Sequence, residues 1–85
     1  MTKEIAGLTY SREPRPGETV KVRMQECGNY ISAMVWAGSE LIAFDNISKP
    51  SKPDREDAAR HKRETLARRA AKHWAQLGLT VDTIL

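Results

Sequence analysis

The stretch VKVRMQECGNYISAMVWAGSELIAFDN, residues 20–46, decides the fold. Its first part alternates, with Val20, Val22 and Met24 on one side and Lys21, Arg23 and Gln25 on the other. That period of two marks a half-buried strand. Gly28-Asn29 then offers a two-residue hairpin with glycine first, as a type II′ turn requires. Tyr30–Ala37 reads as a second strand, Gly38-Ser39 repeats the turn chemistry, and Glu40–Asp45 reads as a third. Two such turns fix the register. Met24 then faces Ala33, and Val22 faces Val35, which also faces Ile42; Ala33 faces Phe44. With Val20 and Ile31 these make one apolar face. The other face carries the rows Lys21–Trp36–Leu41, Arg23–Met34–Ala43 and Gln25–Ser32–Asp45, with Cys27 beside Tyr30.

Downstream, residues 47–53 form a loop between the meander (19–46) and a helix predicted over 54–77. Ser51, with Asp54 three residues on, resembles a helix start box, Pro53 suits the first turn, and Gly78 ends the helix. Ala59, Leu66, Ala70, Trp74 and Leu77 share one stripe, with Ala67 beside them, and should pack on the apolar face. A helix of this length spans roughly 36 Å, against roughly 23 Å for a seven-residue strand. Its first half, which holds no apolar side chain larger than alanine, should overhang the sheet with Arg55, Arg60, His61, Lys62 and Arg63. Residues 79–85 alternate weakly and read as a candidate edge strand. Upstream, residues 1–18 hold a short apolar piece, Ile5 to Tyr10, and a loop marked by Pro14, Pro16 and Gly17. The expected fold is one α+β domain: a three-stranded antiparallel meander with one long C-terminal helix on one face and an edge strand added from the termini.

Eighty-five residues leave room for a single core, which at this size is only marginally stable alone. Self-association into a homodimer or association with a partner is therefore energetically reasonable. Cys27 is the one cysteine, so no intrachain disulfide forms, which favours a reducing compartment. No apolar run approaches membrane-spanning length, and the expected location is cytoplasmic. Net charge is +3, and the excess lies in residues 51–85. That balance excludes a DNA mimic built on surface acidity and is compatible with nucleic-acid contact.

Two patches stand out. The mixed sheet face gathers Lys21, Arg23, Tyr30, Met34 and Trp36, residue types enriched at interface centres and also suited to stacking single-stranded bases. The same face could instead be covered by Ile5–Tyr10 or the C-terminal tail, serve self-association, or hold a cation–π pair between Lys21 and Trp36. The second patch is the helix flank, where Arg55, Lys62 and Arg69 recur every seven residues with Arg68 and Lys72 further round. It reads as a solvated face interspersed with Asp54, Asp57 and Glu64, or as a row of phosphate contacts.

The run Arg68-Arg69-Ala70-Ala71-Lys72-His73-Trp74-Ala75 resembles the final helix of double-stranded-RNA-binding domains, as does the strand-strand-strand-helix order. The likeness covers about eight residues, and the chain lacks that family's first helix and has a longer loop before the last one. It implies phosphate contacts by Arg68, Arg69 and Lys72.

Catalytic chemistry finds no support. His61 and His73 lie roughly 18 Å apart along one helix, too far to share a metal, and no cofactor or metal site is expected. Cys27 has no base that the sequence can assign to it. The expected function is non-enzymatic docking onto a protein or ribonucleoprotein partner. Proteins of this size and build include phage and mobile-element inhibitors of host complexes, among them anti-CRISPR proteins. The alternative is a nucleic-acid-binding module that uses the basic flank for RNA or DNA phosphates and the sheet aromatics for bases.

Overall fold

The computed structural model describes residues 3–5 and 7–85. The chain is α+β, with one helix on one face of a six-stranded mixed sheet. The strands are β1 (Lys3–Ile5), β2 (Leu8–Tyr10), β3 (Val20–Glu26), β4 (Tyr30–Ala37), β5 (Glu40–Ser48) and β6 (Val81–Ile84), and the helix is α1 (Pro53–Gln76). Their order across the sheet is β1-β2-β5-β4-β3-β6. The expected meander is its centre. The N-terminal segment adds an antiparallel hairpin at the β5 edge, and the C-terminal segment adds a strand parallel to β3 at the other. The sheet thus exceeds the three antiparallel strands expected, and β1, β2 and β6 extend it at its edges instead of folding over a face.

The first hairpin keeps the predicted register throughout, from Lys21 opposite Trp36 to Gln25 opposite Ser32. Its turn differs in detail, because Gly28 takes no positive φ, as a type II′ turn would need. Gly38 in the second turn does, at 60°. The second hairpin holds the predicted pairing only for Ala37–Glu40 and Trp36–Leu41. A β-bulge then inserts one residue, so Val35 faces Ala43, Met34 faces Phe44 and Ala33 faces Asp45. One extra residue reverses every later side chain. Phe44 therefore leaves the apolar face and stands 60% exposed, while Ile42 and Ala43 both join the core. Asp45 moves to the helix side. The strand also runs on to Ser48, beyond the expected end at Asp45.

The core lies between α1 and the sheet: Leu8, Tyr10, Val20, Val22, Val35 and Ala43 below, Ala67, Ala70 and Trp74 above. The helix starts at an N-cap of Lys52 with Pro53 following, and no side chain caps it, so Ser51 does not act as the start box. At the other end, the Gly78 N–H donates to the Ala75 carbonyl and the Leu79 N–H to that of Trp74. With Gly78 at φ 86°, this is a Schellman closure. The chain leaves the helical path at Leu77, which is 62% exposed and not part of the packed stripe.

The first half of α1 is not a free overhang. Arg60 donates to both carboxylate oxygens of Glu26 at the end of β3, at 2.6 and 2.8 Å, and also pairs with Glu56 and Asp57. Lys49 bridges Glu26 and Glu56 at 2.9 and 3.4 Å. Arg63 is buried and reaches Asp45. Ion pairs thus hold the half of the helix that has no large apolar side chains, while Arg55, His61 and Lys62 stay exposed. Among the described residues, no helix is long and apolar enough to cross a membrane.

Candidate functional site

The sheet face away from α1 is open. The loop between β2 and β3 passes on the helix side, where Tyr10 and Trp74 both reach Glu13. Strand alternation and the observed pairing place two rows across the open face. One runs Asp82–Lys21–Trp36–Leu41, the other Ile84–Arg23–Met34–Phe44. Tyr30 lies beyond them on β4. All five predicted sheet residues, Lys21, Arg23, Tyr30, Met34 and Trp36, therefore share one surface. Phe44 and Ile84, missed from sequence, join it at 60% and 61% exposure. The run Leu41-Ile42-Ala43-Phe44 is the signal for Phe44, since four apolar residues in succession break strand alternation and allow a bulge, whereas Ile84 reaches the face through the parallel pairing of β6.

Arg23 is not free on this face. Its Nη1 donates to the Asp82 carbonyl at 2.9 Å and its Nη2 to the Asp82 carboxylate at 3.0 Å, which ties β6 to β3. Lys21 has no ion pair among the described residues. The face is an apolar centre with one unpaired cation at its rim.

The basic helix residues lie on the opposite side of the molecule. Lys62 and Arg69 line a groove of about 630 Å³ with His61, Arg63, Leu66 and Asp45, closed at one side by Gly7 of the β1–β2 turn. Arg55, Lys62, Arg69 and Lys72 have no acidic partner among the described residues, whereas Arg68 is held by Glu64 at 2.8 Å. Of the contacts implied by the RNA-binding resemblance, Arg68 is thus engaged within the helix, Arg69 faces the groove, and Lys72 lies further round. No helix precedes the strands among the described residues.

Arg63 is the unusual member. Its side chain is only 7% exposed, yet its ion pair with Asp45 spans 3.3 Å and its Nη1 bond to the Ala59 carbonyl spans 3.4 Å. Its Nε has no partner among the described residues. A buried N–H left unpaired costs about 1–3 kcal/mol.

Elsewhere, charge is well matched. The Arg60 and Lys49 cations hold the Glu26 carboxyl down at about 2. Arg12 and the Arg15 N–H do the same for Glu18, also about 2. Hydrogen bonding to Glu13, then burial, pushes the Tyr10 hydroxyl up to about 12. His73 packs edge-on to Trp74 at 5.8 Å, well away from His61 at the groove.

No protein-family model matches the chain, and no curated protein or solved structure matches it.

Proposed function

We propose that this protein works by docking its open sheet face onto a protein partner, without catalysis. The observation that carries this reading is the cluster of Trp36, Met34, Leu41, Phe44 and Ile84 on a face that no described segment covers. Contiguous exposed apolar surface of this kind marks interaction sites, and Trp and Tyr dominate binding energy where they are buried by a partner. The lone unpaired cation at the rim, Lys21, favours a partner with an apolar centre and an acidic edge.

Within this reading, the finer proposal is inhibition of a host complex by a phage or mobile-element protein, as anti-CRISPR proteins do; size and build support it. Expression in a bacterium with active CRISPR interference, followed by counting plaques of a targeted phage, tests that finer step.

The test of docking itself is retention of a partner from host extract by the immobilised wild type, with Trp36→Ala and Phe44→Ser compared in parallel. The expected result is a partner retained at raised salt and lost in both variants while their melting curves stay normal. Equal retention by all three proteins removes the sheet face from the mechanism. A dimer in solution that Phe44→Ser dissociates would instead assign the face to a second copy of this chain.

The nucleic-acid reading keeps one supporting observation, the unpaired Arg55, Lys62, Arg69 and Lys72. These lie on the helix side, so one strand cannot contact them and the sheet aromatics without wrapping around an edge.

A further inference from the structure

The groove beside α1 combines three features. Its lining carries three cations, Lys62, Arg63 and Arg69, against one carboxylate, Asp45. Lys62 and Arg69 have no ion-pair partner among the described residues. Arg63, more than nine-tenths buried, has an Nε with no acceptor among the described residues and long contacts at its other two nitrogens. Its guanidinium is held in place but short of acceptors.

We propose that this groove binds a phosphate group, with Arg63 as the buried anchor and Lys62 and Arg69 as the flanking ligands. The chemistry favours phosphate over a carboxylate on counting grounds. Asp45 already supplies the groove with a carboxylate, and two formal positive charges remain after it is subtracted. A phosphate monoester carries nearly two negative charges and three strong acceptor oxygens. It can therefore accept from Lys62, Arg63 and Arg69 together and match both remaining charges, whereas one carboxylate brings a single negative charge. An arginine fork also matches phosphate geometry. Leu66 and Ala58 supply an apolar wall beside these cations, and the volume suits a ligand of nucleotide size. The source is a small molecule with a terminal phosphate, such as a nucleotide, since each phosphodiester of a nucleic-acid backbone carries one charge and two free oxygens.

The site is independent of the docking face, since the sheet separates them. The test is a titration of isotope-labelled protein, followed by amide and arginine Nε–H resonances at about 0.15 M ionic strength. The probes are adenosine monophosphate, adenosine, a short single-stranded DNA and a polyglutamate peptide. The expected result is a saturable shift at residues 61–69 and at Arg63 Nε–H with adenosine monophosphate, absent with adenosine. Lys62→Ala with Arg69→Ala should weaken it about tenfold or more, while Trp36→Ala leaves it unchanged. A response to the mononucleotide supports the site, whereas a response to DNA alone overturns it, because a phosphodiester lacks the second charge and third oxygen on which the assignment rests. Both exposed substitutions leave the Arg63–Asp45 pair intact, so a normal melting curve is expected for the double variant. No saturable shift with either phosphate probe, an equal response to polyglutamate, or full binding by the double variant overturns the proposal.

Discussion

Tyr10 and Trp74 meet edge to face with ring centroids 5.5 Å apart, and Glu13 accepts a hydrogen bond from each. This triad closes the core where the β2–β3 loop crosses the end of the helix. Trp74 is wholly buried. Trp74→Ala should cost about 3–5 kcal/mol, a large part of the stability of a domain this size. Urea unfolding measures it, and a loss under about 1 kcal/mol would show that the helix end is not docked as described.

The same triad makes an alkaline prediction. The Tyr10 hydroxyl titrates near 12 in the fold against 10 in the open chain. A group with a raised folded pKa gives its full stabilisation below the unfolded value and loses it as pH rises toward the folded one. Stability should therefore drop between pH 10 and about 12, and Tyr10→Phe should reduce that drop, leaving the part due to Tyr30, whose hydroxyl is also raised by its hydrogen bond with Cys27. Absorbance titration of tyrosinate follows it directly, and a Tyr10 that ionises near 10 would contradict the Glu13 bond.

Acid acts through the other end of the helix. Glu26 is depressed from 4.5 to about 2 by Arg60 and Lys49. For a depressed carboxylate the sign reverses: the contribution is present above the unfolded pKa and lost as pH falls toward the folded one. Thermal stability should decline from about pH 4.5 toward pH 2, and Glu26→Gln should flatten part of that slope. High salt should weaken the effect because these charges are exposed.

The bulge predicts a contrast between two apolar residues. Leu8, 1% exposed on a three-residue strand, should cost about 2–5 kcal/mol when changed to alanine. Phe44→Ser should change stability by no more than about 0.5 kcal/mol, although the uninterrupted register would put Phe44 in the core. A large loss at Phe44 would restore that register.

Two turn glycines should also differ. Gly38 has a positive φ, and an added β-carbon would lie 3.2 Å from Glu18 Oε2, so Gly38→Ala should destabilise by about 1–2 kcal/mol. Gly28 has neither constraint, and Gly28→Ala should be nearly neutral.

Much of the centre was legible because local chemistry wrote it. Gly28-Asn29 spaced two clean alternating runs, so the β3–β4 register followed from counting. The β4–β5 register failed after Leu41, because Leu41 to Phe44 are all apolar and give no parity to show where a residue is inserted. The edge strands were less legible for another reason. β1 and β2 have three residues each and draw their order from the sheet beside them, and β6 pairs with a strand some sixty residues earlier. Residues 79–85 were expected at an edge, but nothing nearby indicated a parallel partner. The candidate patches were found as residue sets. Their placement on opposite sides, and the buried Arg63–Asp45 pair, depend on contacts between distant elements that periodicity does not encode.

The short parallel strand β6 leaves β3 with two unequal neighbours. The Val20 N–H donates to the Thr80 carbonyl, so by alternation the Val20 and Val22 amides point toward β6 and those of Lys21 and Arg23 toward β4. Four residues hold one side of β3, and a full-length hairpin holds the other. Amide protons one position apart along a single strand should therefore exchange with solvent on two different clocks, the odd-numbered ones slowed by the hairpin and the even-numbered ones released whenever β6 lifts away.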